Sequence, residues 1–499
     1  METLSLLMSG FLVALEPMNL LACIVGVVAG AIIGALPGLG PSAGCAIILP
    51  LTFGVNPTTG IILLAGIYYG AMYGGAITSI LINTPGDSAA VMTCLDGYPM
   101  AQKGYPGRAL GMAAWASFIG GTTCVIIFTF MAPKLAAMAL WFGPPENFTL
   151  MLMGLATVSG LTGKYPAKGL TSMFLGLVLT VIGVDLMTGL PRYCFGIMEL
   201  YSGIDFVVVA LGLFGITEVI NLAFTEFAKE RISVKLRVKD GFPTKEDWKY
   251  SYPHIVRSTG IGFLVGMLPG AGATIATFIA YATAKKASKR SELFGTGIPE
   301  GIAAPESANN AASVGAWVPL LTLGIPGSAT TAVFLGALMM HNLRPGPLIF
   351  QEAPRLVWGL ISSMYVGNVL LMLALVFFIP LFIKVLNIPK WSLMAWMTAF
   401  ILAGSYSLNS SMFDVWMTIG FGALGFFLKQ LEVPAAPMIL ALVLGNLMED
   451  ALRQSLVLSN GSLSIFFTRP LSAALLVIAL GSIVLPILKS LYKKRATRA

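Results

Sequence analysis

The chain has 499 residues, of which 57% are hydrophobic and only 10% are charged, and its formal net charge is +8. Soluble domains carry roughly 25% charged residues, so a water-soluble protein of this length could not hide so much apolar surface. The composition therefore predicts an all-α integral membrane protein surrounded by a lipid bilayer. The basic excess does not indicate a nucleic-acid partner, because the lysines and arginines lie in short loops and at the C-terminus, where positive charge stays in the cytoplasm.

Apolar segments follow one another along both halves of the chain. In the first half, 1–225, they cover approximately 3–15, 19–36, 43–53, 58–83, 108–132, 147–160, 168–186 and 203–225. A polar loop at 226–257, rich in Lys and Arg, is expected to be cytoplasmic. In the second half, 258–499, the apolar segments cover 258–284, 307–323, 328–340, 356–384, 391–405, 411–428, 433–447 and 470–488. There is room for roughly ten to twelve transmembrane helices of about 20 residues.

Two short motifs occur twice, in the same order, on either side of the polar loop. The sequence G-A-L-P-G-L-G at 34–40 recurs as G-M-L-P-G-A-G at 266–272. Downstream, T-P-G-D-S at 84–88 has a looser counterpart, I-P-G-S, at 325–328. These matches predict an internal repeat, with one copy around 26–110 and the other around 258–347, followed by C-terminal helices over 356–488.

The charges beside the Pro-Gly motifs predict that the two copies have opposite orientations. The second motif lies between the basic loop and the sequence K-K-A-S-K-R at 285–290, so both of its flanks are expected in the cytoplasm. The flanks of the first motif, up to Asn19 and over 53–57, carry no Lys or Arg and fit the outer side. We therefore expect two re-entrant helical hairpins that enter from opposite faces and meet near the middle of the membrane.

A broken helix leaves backbone amides without partners at the start of its second half. These amides and the helix dipole suit an anion, whereas the carbonyl ends suit Na⁺. A hydroxyl residue after each Pro-Gly is expected to cap the half-helix and contact a ligand; the four are Ser42, Ser88, Thr274 and Ser328. The predicted substrate-binding residues are Gly38, Gly40, Ser42, Pro85, Gly86, Asp87, Ser88, Gly270, Gly272, Thr274, Pro326, Gly327 and Ser328. The alternative interpretation is that the Pro-Gly motifs are packing kinks with ordinary caps.

Further polar groups lie in apolar segments beside these motifs. Such groups are functional candidates because lipid does not tolerate them facing outward. The candidates for polar contacts or ion coupling are Tyr69, Asn83, Glu306, Asn309 and Asn310. Asp185 is interpreted instead as an ion-pair partner of Arg192 across a short turn. We expect no cofactor and no resident metal, with transient Na⁺ or H⁺ as the coupling ion.

No enzyme motif and no nucleotide-binding loop occurs in the sequence, so neither an enzyme nor a self-powered pump is expected. The remaining alternatives are a secondary transporter and a passive anion channel. Broken helices survive in lipid only where they are buried or line a cavity, and their duplication here favours the transporter.

At these motifs the sequence resembles the large membrane subunit, the TctA family, of bacterial tripartite tricarboxylate transporters. The resembling stretches lie in the family's order and span most of 30–345, whereas the last third is similar mainly in hydropathy. They are GALPGLGP (34–41), YYGAMYGGAITSILINTPGD (68–87), LDGYPMAQKGYPGRALG (95–111), GVDLMTGLPRYCFGIMEL (183–200), GMLPGAGATIATFIAY (266–281) and PEGIAAPESANNAASVGAWVPLLTLGIPGSATTAV (299–333).

This resemblance implies two protein partners, a small membrane subunit and a periplasmic solute-binding protein. It also implies a location in the bacterial inner membrane and the uptake of a citrate-like di- or tricarboxylate, driven by an ion gradient. Transport of another small carboxylate or solute is the alternative within the same family.

Overall fold

The computed structural model describes residues 2–36, 39–139, 141–161, 166–185, 188–224, 242–269, 272–386 and 389–496. Within them, regular structure is almost entirely helical. The one sheet in these ranges is a short antiparallel pair, in which β1 (Gly183–Val184) lies beside β2 (Pro191–Arg192). The predicted all-α architecture is thereby confirmed.

The first copy of the repeat contains a hairpin and a broken helix. Its helices, after α1 (Glu2–Ala14), are α2 (Pro17–Ala35), α3 (Pro41–Ile48), α4 (Pro57–Ile82), α5 (Val91–Gln102) and α6 (Pro106–Ala139). Helices α2 and α3 are the arms of the hairpin. Helix α4 ends where Asn83 adopts a left-handed backbone (φ 54°), and the chain then passes Pro85-Gly86 before α5 begins.

The described residues between the copies form two α-helices, the short sheet and one continuous irregular helix. The two helices are α7 (Pro144–Leu161) and α8 (Pro166–Thr180). After the sheet, α9 (Phe206–Ala210), a π-helical segment (Leu211–Ile216) and α10 (Thr217–Phe224) follow one another without a gap. Such π-helical segments are rare and are frequent at functional sites.

The second copy repeats the hairpin and the broken helix. Its helices are α11 (Lys245–Gly266), α12 (Gly272–Ala287), α13 (Pro299–Gly315), α14 (Trp317–Leu323), α15 (Ala329–Met340), α16 (Ile349–Glu352) and α17 (Pro354–Leu386). The polar segment 226–257 is only partly a loop, because α11 begins at Lys245, where Thr244 and Asp247 form a capping box. The part at 225–241 lies outside the described residues.

The C-terminal part of the chain adds five helices, α18 (Lys390–Asn409), α19 (Met412–Gln430), α20 (Ala436–Leu458), α21 (Ile465–Thr468) and α22 (Pro470–Ala496). Among the described residues, six helices are long and apolar enough to cross a membrane; they cover 17–35, 57–82, 106–138, 206–224, 354–373 and 412–430. Several other apolar segments form short helices, over 3–14, 41–52, 329–340 and 470–482. Within the described ranges these six are fewer than the roughly ten to twelve expected, and the Pro-Gly breaks leave short helices such as α3 and α15.

Glycines allow the first arm of each hairpin to pack closely on the long helix that follows it. A Cβ atom at Gly30 would overlap the carbonyl oxygen of Ile67, so α2 and α4 are in backbone contact. The same relationship joins α11 to α13, where a Cβ at Gly262 would overlap the carbonyl oxygen of Ala308. Small residues promote this close approach in membrane proteins.

Helices α6 and α11 begin at the same face of the protein. The guanidinium of Arg108, near the start of α6, forms an ion pair with Asp247, in the first turn of α11. Burial alone would raise the pKa of the Asp247 carboxyl, but Arg108 and Thr244 together hold it below its usual value.

Helix α17 runs antiparallel to α6. Thr129 of α6 is hydrogen-bonded to Tyr365 of α17 at 2.8 Å, whereas Gly121, two turns earlier in α6, faces Asn368, later in α17. The start of α17 therefore lies at the face opposite Arg108.

At that opposite face Arg355, in the first turn of α17, pairs with Glu16 at 2.6 Å, immediately before α2 begins. Helices α2 and α11 thus start at opposite faces of the protein, and each runs toward the face at which the other starts. This arrangement is the one expected for two inverted hairpins.

Candidate functional site

A cavity of about 840 Å³ lies where the two hairpin tips and the two helix breaks meet. Ten of the predicted substrate-binding residues line it, namely Gly40, Ser42, Pro85, Gly86, Asp87, Ser88, Gly272, Thr274, Pro326 and Ser328. Gly38 and Gly270 lie outside the described residues. The fold thus collects four segments that are far apart in the sequence, and their role in substrate binding stays a prediction.

Gly86 and Gly327 occupy equivalent positions in the two copies. A Cβ at Gly86 would overlap the carbonyl oxygen of Gly34, and a Cβ at Gly327 would lie 2.9 Å from the carbonyl oxygen of Gly266. Gly34 and Gly266 are the first residues of the recurring hairpin motif. Each break therefore packs against the end of the first arm of its own hairpin. Gly327 is buried in this contact and is not among the residues lining the cavity.

Of the four hydroxyl residues that were expected to cap a half-helix, one does so. Ser328 caps α15, accepting a hydrogen bond from the Thr331 amide at 3.2 Å. Helix α3 has Gly40 at its N-cap, so Ser42 already lies inside the first turn. Before α5 it is Asp87 that caps, by accepting from the Ala90 amide at 3.0 Å. The prediction failed at Ser42, Ser88 and Thr274 because the helices begin one or more residues away from the positions that a Pro-Gly pattern suggests.

Ser88 and Thr274 instead contact each other. Their hydroxyl oxygens are 2.7 Å apart, which joins the break of the first copy to the hairpin tip of the second. Both side chains line the cavity, and Ser88 is exposed within it. The contact spans the boundary between the two repeats at the point where all four motif segments converge.

Residues 20–440 match the family described as the tripartite tricarboxylate transporter TctA family. The chain belongs to this family. Membership makes it a multi-pass membrane component of a tripartite tricarboxylate transporter. The resemblance found at the motifs is confirmed over most of the chain.

Two similar proteins come from Agrobacterium vitis. One is named as an uncharacterized 52.8 kDa protein in the TAR-I ttuC' 3' region, and it is 43% identical over 495 residues, 99% of this chain and 98% of that protein. The other is named as an uncharacterized protein in the TAR-II ttuC' 3' region, with 41% identity over 234 residues, 47% of this chain and 97% of that protein. No solved structure matches the TctA-family chain.

Glu306 lies inside the TctA-family protein rather than on the cavity wall. Its side chain is fully buried on α13 and accepts hydrogen bonds from Thr93 of α5 at 2.5 Å and from Ser117 of α6 at 3.2 Å. Both partners are neutral, and none of the ion pairs among the described residues includes Glu306. Ionisable groups buried in a membrane protein are functional candidates, so Glu306 remains a candidate for ion coupling.

Asn309 and Asn310 are not among the residues that line the cavity, because α13 is buried on all sides by neighbouring helices, and their role in polar contacts or ion coupling stays a prediction. The Asn309 amide nitrogen donates to the Met72 carbonyl at 3.0 Å, and its buried side-chain oxygen has no partner among the described atoms. The Asn310 amide nitrogen donates to the carbonyl of Glu306 at 3.2 Å. The pair therefore holds α13 against α4 and against its own preceding turn.

Tyr69 and Asn83 also lie away from the cavity wall. Tyr69 is buried on α4 and stacks on Tyr68, with ring centroids 5.8 Å apart. Asn83 is exposed, and its left-handed backbone ends α4. The role seen for Asn83 is therefore that of a helix terminator, which short polar side chains such as Asn perform well.

The far wall of the cavity comes from elements outside the repeats, which motif reasoning missed. Thr217 and Glu218 follow the π-helical segment, and Lys429 lies in the last turn of α19. The Lys429 ammonium is 3.0 Å from the Glu218 carboxylate. The sequence carries one sign of these wall residues: Glu218 and Lys429 are charged residues that lie within or at the end of apolar segments.

A second cavity of about 420 Å³ lies beside the short sheet and α20. The predicted ion pair between Asp185 and Arg192 is present there at 3.2 Å. Two partners that the sequence did not suggest extend it, since Arg453 contacts Asp185 at 2.7 Å and Arg192 contacts Glu449 at 2.9 Å. This network fastens the sheet to α20. Among the described residues, no group of three or more His, Cys, Asp or Glu side chains could hold a metal ion.

Proposed function

We propose that this TctA-family protein is the large transmembrane subunit of a secondary-active, binding-protein-dependent transporter that imports a citrate-like di- or tricarboxylate. The energy would come from a cation gradient, Na⁺ or H⁺. The proposed location is the bacterial inner membrane. The proposed protein partners are a small membrane subunit and a periplasmic solute-binding protein, as the resemblance implies.

The observation that carries the proposal is the convergence of the four motif segments on one cavity. Helices α3, α12 and α15 begin at the cavity, and the short turn 88–90 that leads into α5 does so as well. A helix start carries roughly half a positive charge together with amides free to donate. Several such starts can offset the charge of a small carboxylate without a buried arginine.

Glu306 is the residue that we propose for coupling. It joins α13 of the second copy to α5 and α6 of the first, and α5 follows directly from the turn that carries Asp87 and Ser88. A change of charge at Glu306 would therefore alter the contact that holds one wall of the cavity against the other copy.

The decisive experiment is uptake of radiolabelled citrate, succinate and acetate by vesicles containing the complete three-component transporter. Each substrate is measured with a Na⁺ gradient, with a pH gradient and with neither. We expect saturable accumulation of citrate or succinate above equilibrium under one of the gradients. Saturable accumulation of a different solute would instead support the alternative substrate class.

Flux that equilibrates but never exceeds the outside concentration would support the passive anion channel. Omission of the binding protein should strongly reduce uptake at low substrate concentration. Full-affinity uptake by this polypeptide alone would contradict the tripartite assignment.

A further inference from the structure

The cavity wall opposite the hairpin tips contains one ion pair whose partners come from two different helices. Lys429 of α19 and Glu218 of α10 are 3.0 Å apart, and both line the cavity. Among the described lining residues, Lys429 is the one basic side chain, while Asp87 and Glu218 are acidic. The positive charge available to an anion from side chains therefore comes from outside the two repeats.

The packing of α19 on the irregular helix fixes this pair in position. The Thr217 hydroxyl donates to the carbonyl of Gly422 at 3.1 Å, and a Cβ at Gly425 would overlap that hydroxyl. The π-helical segment ends at Ile216, immediately before these residues. An extra residue in a helical turn rotates the later turns of the helix about its axis, so the segment sets the direction in which Glu218 projects.

The two members of the pair differ in how accessible they are. The Lys429 side chain is 53% exposed, whereas that of Glu218 is 11% exposed. Glu218 also accepts a hydrogen bond from the Asn221 side chain at 3.4 Å, so it has a second polar partner on its own helix. An ammonium group has three donors, and one of them is used by Glu218. Lys429 is therefore the more accessible member of the pair, and both side chains line the cavity.

We propose that a carboxylate of the substrate binds Lys429 by displacing Glu218, and that Lys429 thereby sets the charge preference of the transporter. This inference rests on the proposed function and names a residue that determines its substrate class. One carboxylate of the substrate is held by the helix starts at the tips, and a second one takes the place of Glu218. The substrate carboxylate replaces Glu218 as the acceptor of the Lys429 ammonium, and the Asn221 side chain remains as a polar partner for Glu218.

The alternative is that the pair is purely structural, with Lys429 extending from the end of a membrane helix toward water. The two interpretations predict opposite effects for Glu218. If Glu218 competes with the substrate, its neutralisation strengthens substrate binding. If it only holds α10 against α19, its neutralisation weakens transport as much as neutralisation of Lys429 does.

The test measures uptake of citrate, succinate and acetate by the complete transporter carrying Lys429→Gln, Glu218→Gln or both changes. Arg355→Gln serves as the matched control, because Arg355 and Glu16 form an exposed ion pair at 2.6 Å that is remote from the cavity. We expect Lys429→Gln to raise the KM for citrate and succinate by roughly tenfold or more, since a hydrogen bond to a charged group is lost. Glu218→Gln should lower that KM several-fold, and neither change should affect the amount of protein in the membrane.

Two outcomes would overturn the inference. One is a Lys429→Gln protein with the wild-type KM for substrates that carry two or more carboxylates. The other is an increase in KM for both single variants that the double variant reverses, which is the signature of a structural pair. Failure of the wild-type transporter to accumulate any of the three carboxylates would contradict the proposed function itself, which separates that result from failure of this inference.

Discussion

The hydroxyls of Ser88 and Thr274 meet at 2.7 Å across the boundary between the two repeats. One residue follows the helix break of the first copy, and the other lies in the first turn of the second hairpin arm. Their contact links two segments that must both be in position for the cavity to have its present shape. A carboxylate bound at this point would accept hydrogen bonds from the same two hydroxyls.

Removal of the Thr274 hydroxyl should weaken substrate binding without abolishing transport, because the substrate loses one hydrogen-bond donor. Thr274→Val keeps the size of the side chain and deletes the hydroxyl, so a neutral hydrogen bond of about 1 kcal/mol is lost, which corresponds to roughly a fivefold higher KM for uptake. Thr418→Val is the matched control, because Thr418 and Ser405 also form a hydroxyl pair at 2.7 Å but do not line the cavity. An unchanged KM for Thr274→Val would show that this hydroxyl does not contact the substrate.

A side chain at Gly40 should block close approach to the tip of the first hairpin. Gly40 has an ordinary φ of −71°, and the one described atom that a Cβ there would contact belongs to Asp87, at 3.6 Å. Gly40→Val should therefore fold and insert normally but lose uptake. Gly272→Val is a poorer probe, since Gly272 has φ +59° and any side chain there strains the backbone. Normal uptake by monodisperse Gly40→Val protein would exclude this tip from the binding site.

The two break glycines should differ in their tolerance of a methyl group. A Cβ at Gly86 would overlap the Gly34 carbonyl oxygen and lie 2.6 Å from the Cα of Gly75, both of which are rigid backbone atoms. At Gly327 the nearest backbone atoms would lie at 2.9 and 3.0 Å. We expect Gly86→Ala to reduce the yield and the Tm of the purified protein severely, and Gly327→Ala to reduce them less. Equal losses of yield and Tm in the two variants would contradict this difference in packing.

Neutralisation of Glu306 separates coupling from packing. Glu306→Gln has nearly the same shape and can still be hydrogen-bonded to Thr93 and Ser117, so the variant should insert with a normal Tm. If Glu306 couples transport to the gradient, accumulation above equilibrium should disappear while substrate exchange across the membrane persists. Full gradient-driven accumulation by Glu306→Gln would remove Glu306 from the coupling mechanism.

Cysteine labelling tests the inverted arrangement of the hairpins. Lys245→Cys and Lys289→Cys, at the ends of the second hairpin, should react with an impermeant reagent only from the cytoplasmic side. Val55→Cys, beside the first hairpin, should react only from the outer side, and all three positions are accessible at the ends of their hairpins. The native cysteines give a low background, since four are buried and Cys94 is half-buried. Labelling of Lys245→Cys and Lys289→Cys from opposite sides would contradict a re-entrant second hairpin.

The sequence by itself determined the membrane class, the duplication and the four motif segments that meet at the cavity. Apolar composition leaves a bilayer as the only medium for such a chain, and Pro-Gly breaks inside apolar helices are tolerated only around a cavity or in the protein interior. The ion pair of Asp185 and Arg192 was also predictable, because a short turn brings the two residues together. These features depend on residue types and on their spacing along the chain, both of which can be read from the sequence.

The tertiary structure alone decided which polar residues face the cavity. Asn309 and Asn310 satisfy the rule that polar groups avoid lipid by turning into a helix interface, which is as effective as facing a cavity. Lys429 and Glu218 meet from helices far apart in the chain, and their distance depends on how α19 packs on the π-helical segment. Which face of a helix lies toward the cavity is set by the helices packed against it, and their residues lie elsewhere in the chain.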